Sequence, residues 1–229
     1  MQAFLGLDDT DNKDSRGTGH LARVIGQQLS EKYKVVGITR HQLFFDPRVP
    51  YTAKNSSAAI LLEIEKPEFL IDIFNETRAI MLADFQPGSD PGLCAALRVP
   101  AAVTAFGEKA KVDLVTQALA ISLAKESGIL LEGLGGTRDG VIGALSAVGL
   151  AAAGNDGRYI FTGQVRELHG SHNVEEVLAA GIAEVRTLTG EVITHGSILT
   201  DKLRPSRRDG KVVLFVEEGT DGWLPIKLD

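Results

Sequence analysis

Residues 141–153 read Val-Ile-Gly-Ala-Leu-Ser-Ala-Val-Gly-Leu-Ala-Ala-Ala, with no charge and a single hydroxyl. At 3.6 residues per turn this run has no polar face, so a helix made from it has to be buried. Burying it takes a real core. The chain supplies one, since 44% of its 229 residues are apolar and 24% are charged. That length suits one large domain or two small ones.

Ahead of that helix, strand and helix patterns follow one another. Residues 2–7 are an apolar run of strand length. Leu21, Val24, Ile25 and Leu29 recur at helical spacing and predict a helix over 18–30. Residues 33–45 predict one long or two short strands, 58–64 another strand and 69–82 a helix. Pro47 and Pro50 bar a helix from the segment between the strands. Gln86-Pro87-Gly88-Ser89-Asp90-Pro91-Gly92 is loop chemistry. Two helices are expected at 99–107 and 111–126, and a short strand at 129–131. Beyond Gly154-Asn155-Asp156-Gly157 the pattern changes to short strands, at 158–162, 182–188, 192–199 and 211–217, with a short helix near 174–180. Asp209-Gly210 is a hairpin signal. The expected fold class is α/β (α+β). Residues 1–155 would form a two-layer mixed sheet with helices, and residues 156–229 a smaller β-rich part.

The formal net charge is −6 and the isoelectric point about 5.4. A broad nucleic-acid footprint needs a basic face, so this balance argues against independent RNA binding. Cys94 is the only cysteine, which excludes an internal disulfide and a four-cysteine zinc ribbon within these residues. No stretch approaches the roughly 20 apolar residues of a membrane-spanning helix, and the first residues carry no signal-peptide pattern. A cytoplasmic protein is the expectation, and homo-oligomerisation stays open.

The run at residues 2–7 ends in Asp8, Asp9, Thr10 and Asp11, with Asp14 close behind. Like charges packed at a strand end repel one another. A hard divalent cation relieves that repulsion, and Mg²⁺ is commonly held by one or two carboxylates plus phosphate oxygens. The competing reading is a solvated turn that caps a helix. Gly17-Thr18-Gly19 and Gly133 to Gly140 are glycine-rich helix starts, where a backbone approaches phosphate closely and N–H groups point outward. Gly133 to Gly140 matches neither a Walker A loop nor the dinucleotide fingerprint, and a plain connecting loop is the alternative. Thr137, Arg138 and Asp139 lie at that helix entrance. Arg48, Tyr51, Lys54, Asn55, Ser56 and Ser57 put many polar donors between two strands, either to clamp phosphate or as a solvated hairpin end. Of the histidines, His169 and His172 read as surface residues, and His20 is balanced between capping and catalysis. Lys202, Arg204, Arg207 and Arg208 read as a solvated hairpin rather than an anion site.

Four of these segments together resemble one family. Gly6-Leu7-Asp8-Asp9-Thr10-Asp11 looks like the G-I-D-D-T-D start of the archaeal tRNA 2-agmatinylcytidine synthetases. Asp46 to Lys54 is similar to their N-P-x-[IV]-P-[YW]-K-T-[RK] segment, Asp90-Pro91-Gly92 to their N-P-G stretch, and Arg138 to Leu145 to their R-G-[LIV]-I-G-A-L helix. The resemblance covers residues 1–150. It implies a kinase-like domain that consumes ATP, with the aspartates organising Mg²⁺ and ATP phosphates, and an adjoining ferredoxin-like part, here within 58–130. The chain departs from the pattern at Gly17-Thr18-Gly19-His20, where that family has G-x-C-T-T-Y, and it lacks the family's zinc ribbon. On this basis Asp8, Asp9 and Asp11 are the candidate metal ligands. Thr10, Gly17, Thr18, Gly136, Thr137 and Gly140 are the candidate ATP contacts, and Asp9, Lys54 and Arg138 the candidate catalytic groups. The expected activity is phosphoryl transfer or ATP-driven ligation onto a small-molecule or RNA acceptor. The alternatives are a tRNA-modifying subunit working with a partner chain and a non-catalytic nucleotide or phosphometabolite binder.

Overall fold

The structure is a computed structural model that describes residues 1–49 and 54–228. In chain order its elements are β1 (Gln2–Asp8), α1 (Thr18–Leu29), β2 (Lys34–Gln42), β3 (Ser56–Glu63), α2 (Phe69–Ala83), β4 (Gly92–Ala96), α3 (Ala101–Ala110), α4 (Gln117–Glu126), β5 (Leu130–Gly133) and α5 (Gly140–Ala153). There follow β6 (Arg158–Phe161), a single 3₁₀ turn (Val165–Glu167), β7 (Ser171–Asn173), α6 (Val174–Ala179), β8 (Glu184–Thr187), β9 (Ser197–Leu199), β10 (Ser206–Arg208), β11 (Lys211–Gly219) and β12 (Gly222–Pro225).

Helix α5 is where its composition requires it to be. Every residue from Gly140 to Ala151 is buried except the half-buried Ile142. Its one polar side chain, Ser146, returns its hydroxyl hydrogen to the Ile142 carbonyl oxygen at 2.7 Å, so the helix itself leaves no side-chain polar group unpaired in the core. The helix lies unusually close to the sheet, and glycines make that possible. A Cβ on Gly6 of β1 would overlap the Ala144 carbonyl. Gly92 of β4 and Gly140 of α5 meet backbone to backbone, and a Cβ on either would strike the other's main chain. Gly140 N–H then donates to Asp90 O at 3.0 Å, which ties the helix start to the entrance of β4.

Among the described residues the strands form one sheet in the order β5-β4-β1-β3-β2-β6-β10-β11-β12-β9-β7, with β8 also paired to β11. It is mixed, because β8–β11 and β12–β9 are parallel and the other pairs antiparallel. The period-2 alternation of β1 sends Ala3, Leu5 and Leu7 to one face, against Leu21, Ile25 and Leu29 of α1 and Ile73 of α2. Phe4 goes to the other face with Ala59 and Leu61 of β3, against Val103 and Phe106 of α3 and Val141, Ala144 and Leu145 of α5. The mixed sheet with helices is as the sequence implies. Helices cover both faces of this half, however, so it is three layers deep where two were expected. Residues 58–130 contribute β3, α2, β4, α3 and α4 to this same body.

Residues beyond 158 have a core of their own, built on Val174, Val177, Val185, Ile198, Leu214 and Val216. The sheet nevertheless runs through the change of texture near 155, because β6 pairs with both β2 and β10. Asp209 and Gly210, at φ 50° and 71°, make the two-residue turn between β10 and β11. Arg207 corrects the solvated-hairpin reading of its patch. It is buried, and its guanidinium donates to Ala151 O (2.8 Å), Tyr159 Oη (2.8 Å) and Gly210 O (2.9 Å). A cation at the last turn of α5 also suits the negative end of the helix dipole. The expected helix 111–126 is shorter: α3 runs to Ala110 and α4 starts only at Gln117, after Thr116, whose hydroxyl accepts from Leu119 N–H at 3.3 Å. No helix among the described residues is long and apolar enough to cross a membrane.

The Gly92–Gly140 contact has a direct test. Gly92→Ala should destabilise the protein by about 3 kcal/mol, roughly 6–12 °C in Tm, because neither backbone can retreat. Thermal unfolding followed by circular dichroism measures it.

Candidate functional site

The C-terminal end of β1, the loops on either side of it and the first turns of α1 and α5 open onto one cleft of about 840 Å³. Antiparallel pairing brings the start of β3, the end of β2 and the start of β6 to the same end of the sheet. Asp8, Asp9, Asp11, Gly17, Thr18, Lys54, Asp139 and Gly140 all line the cleft. Segments far apart in the chain therefore meet there.

The acids are held in distinct ways. Asp8 sits at the end of the ladder opposite Gly92, with its carboxylate against Gly143, where any Cβ would overlap it. Burial, and then the neighbouring Asp9 charge, push its carboxyl up to about 8. Asp9 adopts φ 50°, a left-handed backbone that aspartate tolerates better than most residues. Burial and the charges of Asp90 and Asp11 raise it to about 6. Asp11 does other work. Its Oδ1 accepts from the backbone N–H of Thr18 at 3.1 Å and from the Thr18 hydroxyl at 3.0 Å, capping α1 where Gly17 has no side chain to do so. Thr10 is buried and donates its own hydroxyl hydrogen to Thr18 Oγ1 at 3.2 Å.

Among the described residues no group of three His, Cys, Asp or Glu side chains is placed to hold a metal ion. Asp8 and Asp9 nevertheless fit a hard cation. They are consecutive in the chain, burial and neighbouring carboxylates disfavour the charged form of each, and Mg²⁺ asks for only one or two carboxylates when phosphate supplies the other oxygens.

The two glycine-rich helix starts use their N–H groups internally. Thr18 N–H goes to Asp11, Thr137 N–H to Asp90 Oδ1 at 2.5 Å, and Gly140 N–H to Asp90 O. Gly136, Thr137 and Arg138 are exposed and lie outside the cleft lining. Arg138, at φ 68°, packs its stem against Gly133. Of the expected catalytic groups, Asp9 and Lys54 share the cleft and Arg138 does not. Arg48 lines it too, but is already paired with Asp46 at 2.7 Å and 2.9 Å. That pairing holds the Asp46 carboxyl down to about 2. Tyr51, with Pro50, Thr52 and Ala53, lies outside the described residues.

Other lining groups are not evident from the sequence as one set. Arg23 of α1, Arg40 of β2, Arg158 of β6, Arg166 of the 3₁₀ turn and Arg204 all face this space. They come from five separate segments, so no spacing in the sequence signals them. Ser57 lines the cleft with its hydroxyl buried and without a hydrogen-bond partner. His20 lines it as well, its Nε2 lying 3.3 Å from Arg16 Nη1. His169 and His172 are not part of the lining. His41 forms a different kind of cluster. It is wholly buried, with Nδ1 2.8 Å from Asp156 Oδ1 and Nε2 2.8 Å from Thr39 Oγ1, and Asp156 also binds Lys111. Burial holds the imidazole below its usual range. Thr39 and His41 have no exposed surface, and this set ties β2 to the 154–157 turn.

No protein-family model matches the chain, and no curated protein sequence matches it. Solved structures do. A tRNA fluorescent labeling enzyme superposes with a TM-score of 0.56 at 24% identity, over 65% of this chain and 36% of that one. TiaS, a tRNA agmatidine synthetase, gives 0.56, 24%, 65% and 36% in its complex with tRNA and ATP, and 0.54, 21%, 65% and 35% in its apo form. At these identities the likeness establishes a shared fold. It agrees with the family resemblance of residues 1–150, and the matched region spans little more than a third of each of those proteins.

The acid pair predicts a pH dependence. Folding raises Asp8 and Asp9 above their unfolded value of 3.8, so the stability they contribute is complete below that value and lost as pH rises through about 6 and about 8. A cation replaces the protons. The gain in Tm from millimolar Mg²⁺ should therefore be small near pH 5 and grow towards about pH 9, and Asp8→Asn should abolish it. Equal gains across that range would exclude these carboxylates as the site.

Proposed function

We propose that the chain is an ATP-dependent enzyme that transfers a phosphoryl group, or uses ATP to drive a ligation, with Mg²⁺ held by Asp8 and Asp9. The observation that carries this reading is the convergence of the half-buried Asp8 and Asp9, Lys54 and Ser57 on one cleft at the end of a strand. The fold shared with TiaS, which has been seen with ATP, supports it. Mg²⁺ between these carboxylates and the phosphates would neutralise charge on the transferring group. Asp8 and Asp9 give up their protons to hold it. Asp11 is kept from roaming by its two bonds to Thr18, so it fixes the start of α1 and the shape of the acid loop. Lys54 supplies a positive charge, and the Ser57 hydroxyl has a donor to spend on a ligand oxygen. With the N–H groups of Thr18, Thr137 and Gly140 already taken, phosphate recognition rests chiefly on side chains and metal.

A tRNA-modifying role alongside a partner chain is the second reading, favoured by the neighbours that act on or carry tRNA. Gel shifts with tRNA across a salt series distinguish it, since a dedicated module binds at about 10⁻⁸ M or tighter.

Two outcomes test the leading reading. A non-hydrolysable ATP analogue should raise Tm far more with Mg²⁺ than with EDTA, and Asp9→Asn should remove most of that difference while the protein stays folded. Lys54→Ala should cut ATP turnover by roughly 10²-fold, as when one charge-stabilising donor is lost. Arg138→Ala should leave turnover nearly unchanged. Nucleotide binding without turnover on any acceptor would leave a binding protein.

A further inference from the structure

The cleft carries more positive charge than the nucleotide reading uses. Besides Lys54 and the Asp46-paired Arg48, five arginines line it. Arg40 and Arg158 are direct register partners on β2 and β6. Among the described residues no ion pair involves Arg23, Arg166 or Arg204. Arg166 and Arg204 donate only to carbonyls, Ile160 O at 3.1 Å and Leu203 O at 3.3 Å. Burial, together with the neighbouring arginines, pulls Arg23 and Arg204 below their usual range, as expected of like charges sharing one space.

A triphosphate at the acid end would already face a divalent cation and Lys54, which leaves Arg23, Arg166 and Arg204 without a role in the nucleotide reading. Arg23 lies five residues past Thr18 on α1, about 7.5 Å along the helix axis. Phe44, Tyr159, Ile160 and Leu203 add apolar lining to the same cleft. Guanidiniums in a concave space of 840 Å³, the size of a small-molecule site, on a chain of net charge −6 fit a compact anion rather than a long polyanion.

We propose that the arginine end of the cleft binds the phosphate group of a small phosphomonoester, held by Arg23, Arg166 and Arg204 beside the nucleotide. As the second substrate, this molecule rests on the ATP reading; as a ligand of the arginines, it does not. A cationic co-substrate such as the agmatine seen with TiaS would be repelled here.

Calorimetric titration of the full chain with phenyl phosphate, with and without the Mg²⁺-bound ATP analogue, tests this. Phenyl phosphate should bind in both states and phenol in neither. Arg23→Ala and Arg204→Ala should each weaken phenyl phosphate about tenfold or more, the loss expected of a charge-assisted hydrogen bond, and barely change analogue affinity. Their Tm should hold or rise as repulsion is relieved. Arg166→Ala, at an exposed position, gives the same readout without risk to the fold. If the variants lose analogue affinity in step, or if phenyl phosphate and analogue compete, the arginines belong to the nucleotide and the proposal falls. It also falls if phenyl phosphate does not bind, or if a short oligoribonucleotide displaces it at far lower concentration. Phenyl phosphate binding that depends on these arginines in a protein that ignores the analogue would support the anion site and overturn the ATP reading alone.

Discussion

The structure depends on a helix backbone pressed directly onto a sheet. Helix α5 meets β1 and β4 where Gly6, Gly92 and Gly140 remove the side chains that would hold them apart. Glycine is costly in a helix or strand, by roughly 0.5–1 kcal/mol relative to alanine. Here that cost is offset by tight packing of an apolar helix that has no other place to go. The same approach sets the site. Because α5 begins against the entrance of β4, its first turn and the end of β1 share one corner, and the Asp8 carboxylate is pressed against Gly143. The acid pair is thus desolvated by the packing that stabilises the fold.

The cleft draws its charges from different parts of the fold. Asp8, Asp9 and Asp11 belong to the end of β1 and its loop, Asp113 and Asp139 to the approaches to α4 and α5, and the arginines mainly to α1, β2, β6 and the segments after β6. Antiparallel pairing places β2 and β6 at the same end as the acids, and the C-terminal part closes the other side with Arg166 and Arg204. Arg207 and the His41–Asp156–Lys111 cluster hold that part to α5 and β2 through hydrogen bonds and an ion pair. A cleft with a cation-seeking end and an anion-seeking end is suited to bringing two charged molecules together with their reacting groups aligned.

Elements with strong internal periodicity are legible in the sequence. β1, α1, β3, α2 and α5 lie within a residue or two of where apolar spacing puts them. The misses are short or governed by distant partners. No strand is expected at Gly92–Ala96, because the loop chemistry of 86–92 runs into it, yet it is a fully buried strand whose ladder partners lie in β1 and β5. β7, β10 and β12 have three or four residues each, too few for a period to show. Arg207 looks like a surface charge because nothing near it in the chain reveals the carbonyls of Ala151 and Gly210.

The sequence by itself determined that α5 must be buried, that β1 ends in a cluster of carboxylates, and that a polar donor segment precedes β3. These are local properties: periodicity, adjacency of charge and the demands of proline and glycine operate within a few residues. Only the tertiary structure decided which groups face one another. It brought Lys54 and Ser57 to the acids, left Arg138 outside, turned the helix-start N–H groups inward to Asp11 and Asp90, and gathered five arginines from five segments. The physical reason is that burial and electrostatic coupling depend on distance in space, which strand pairing sets between residues as far apart in the chain as Asp8 and Arg204.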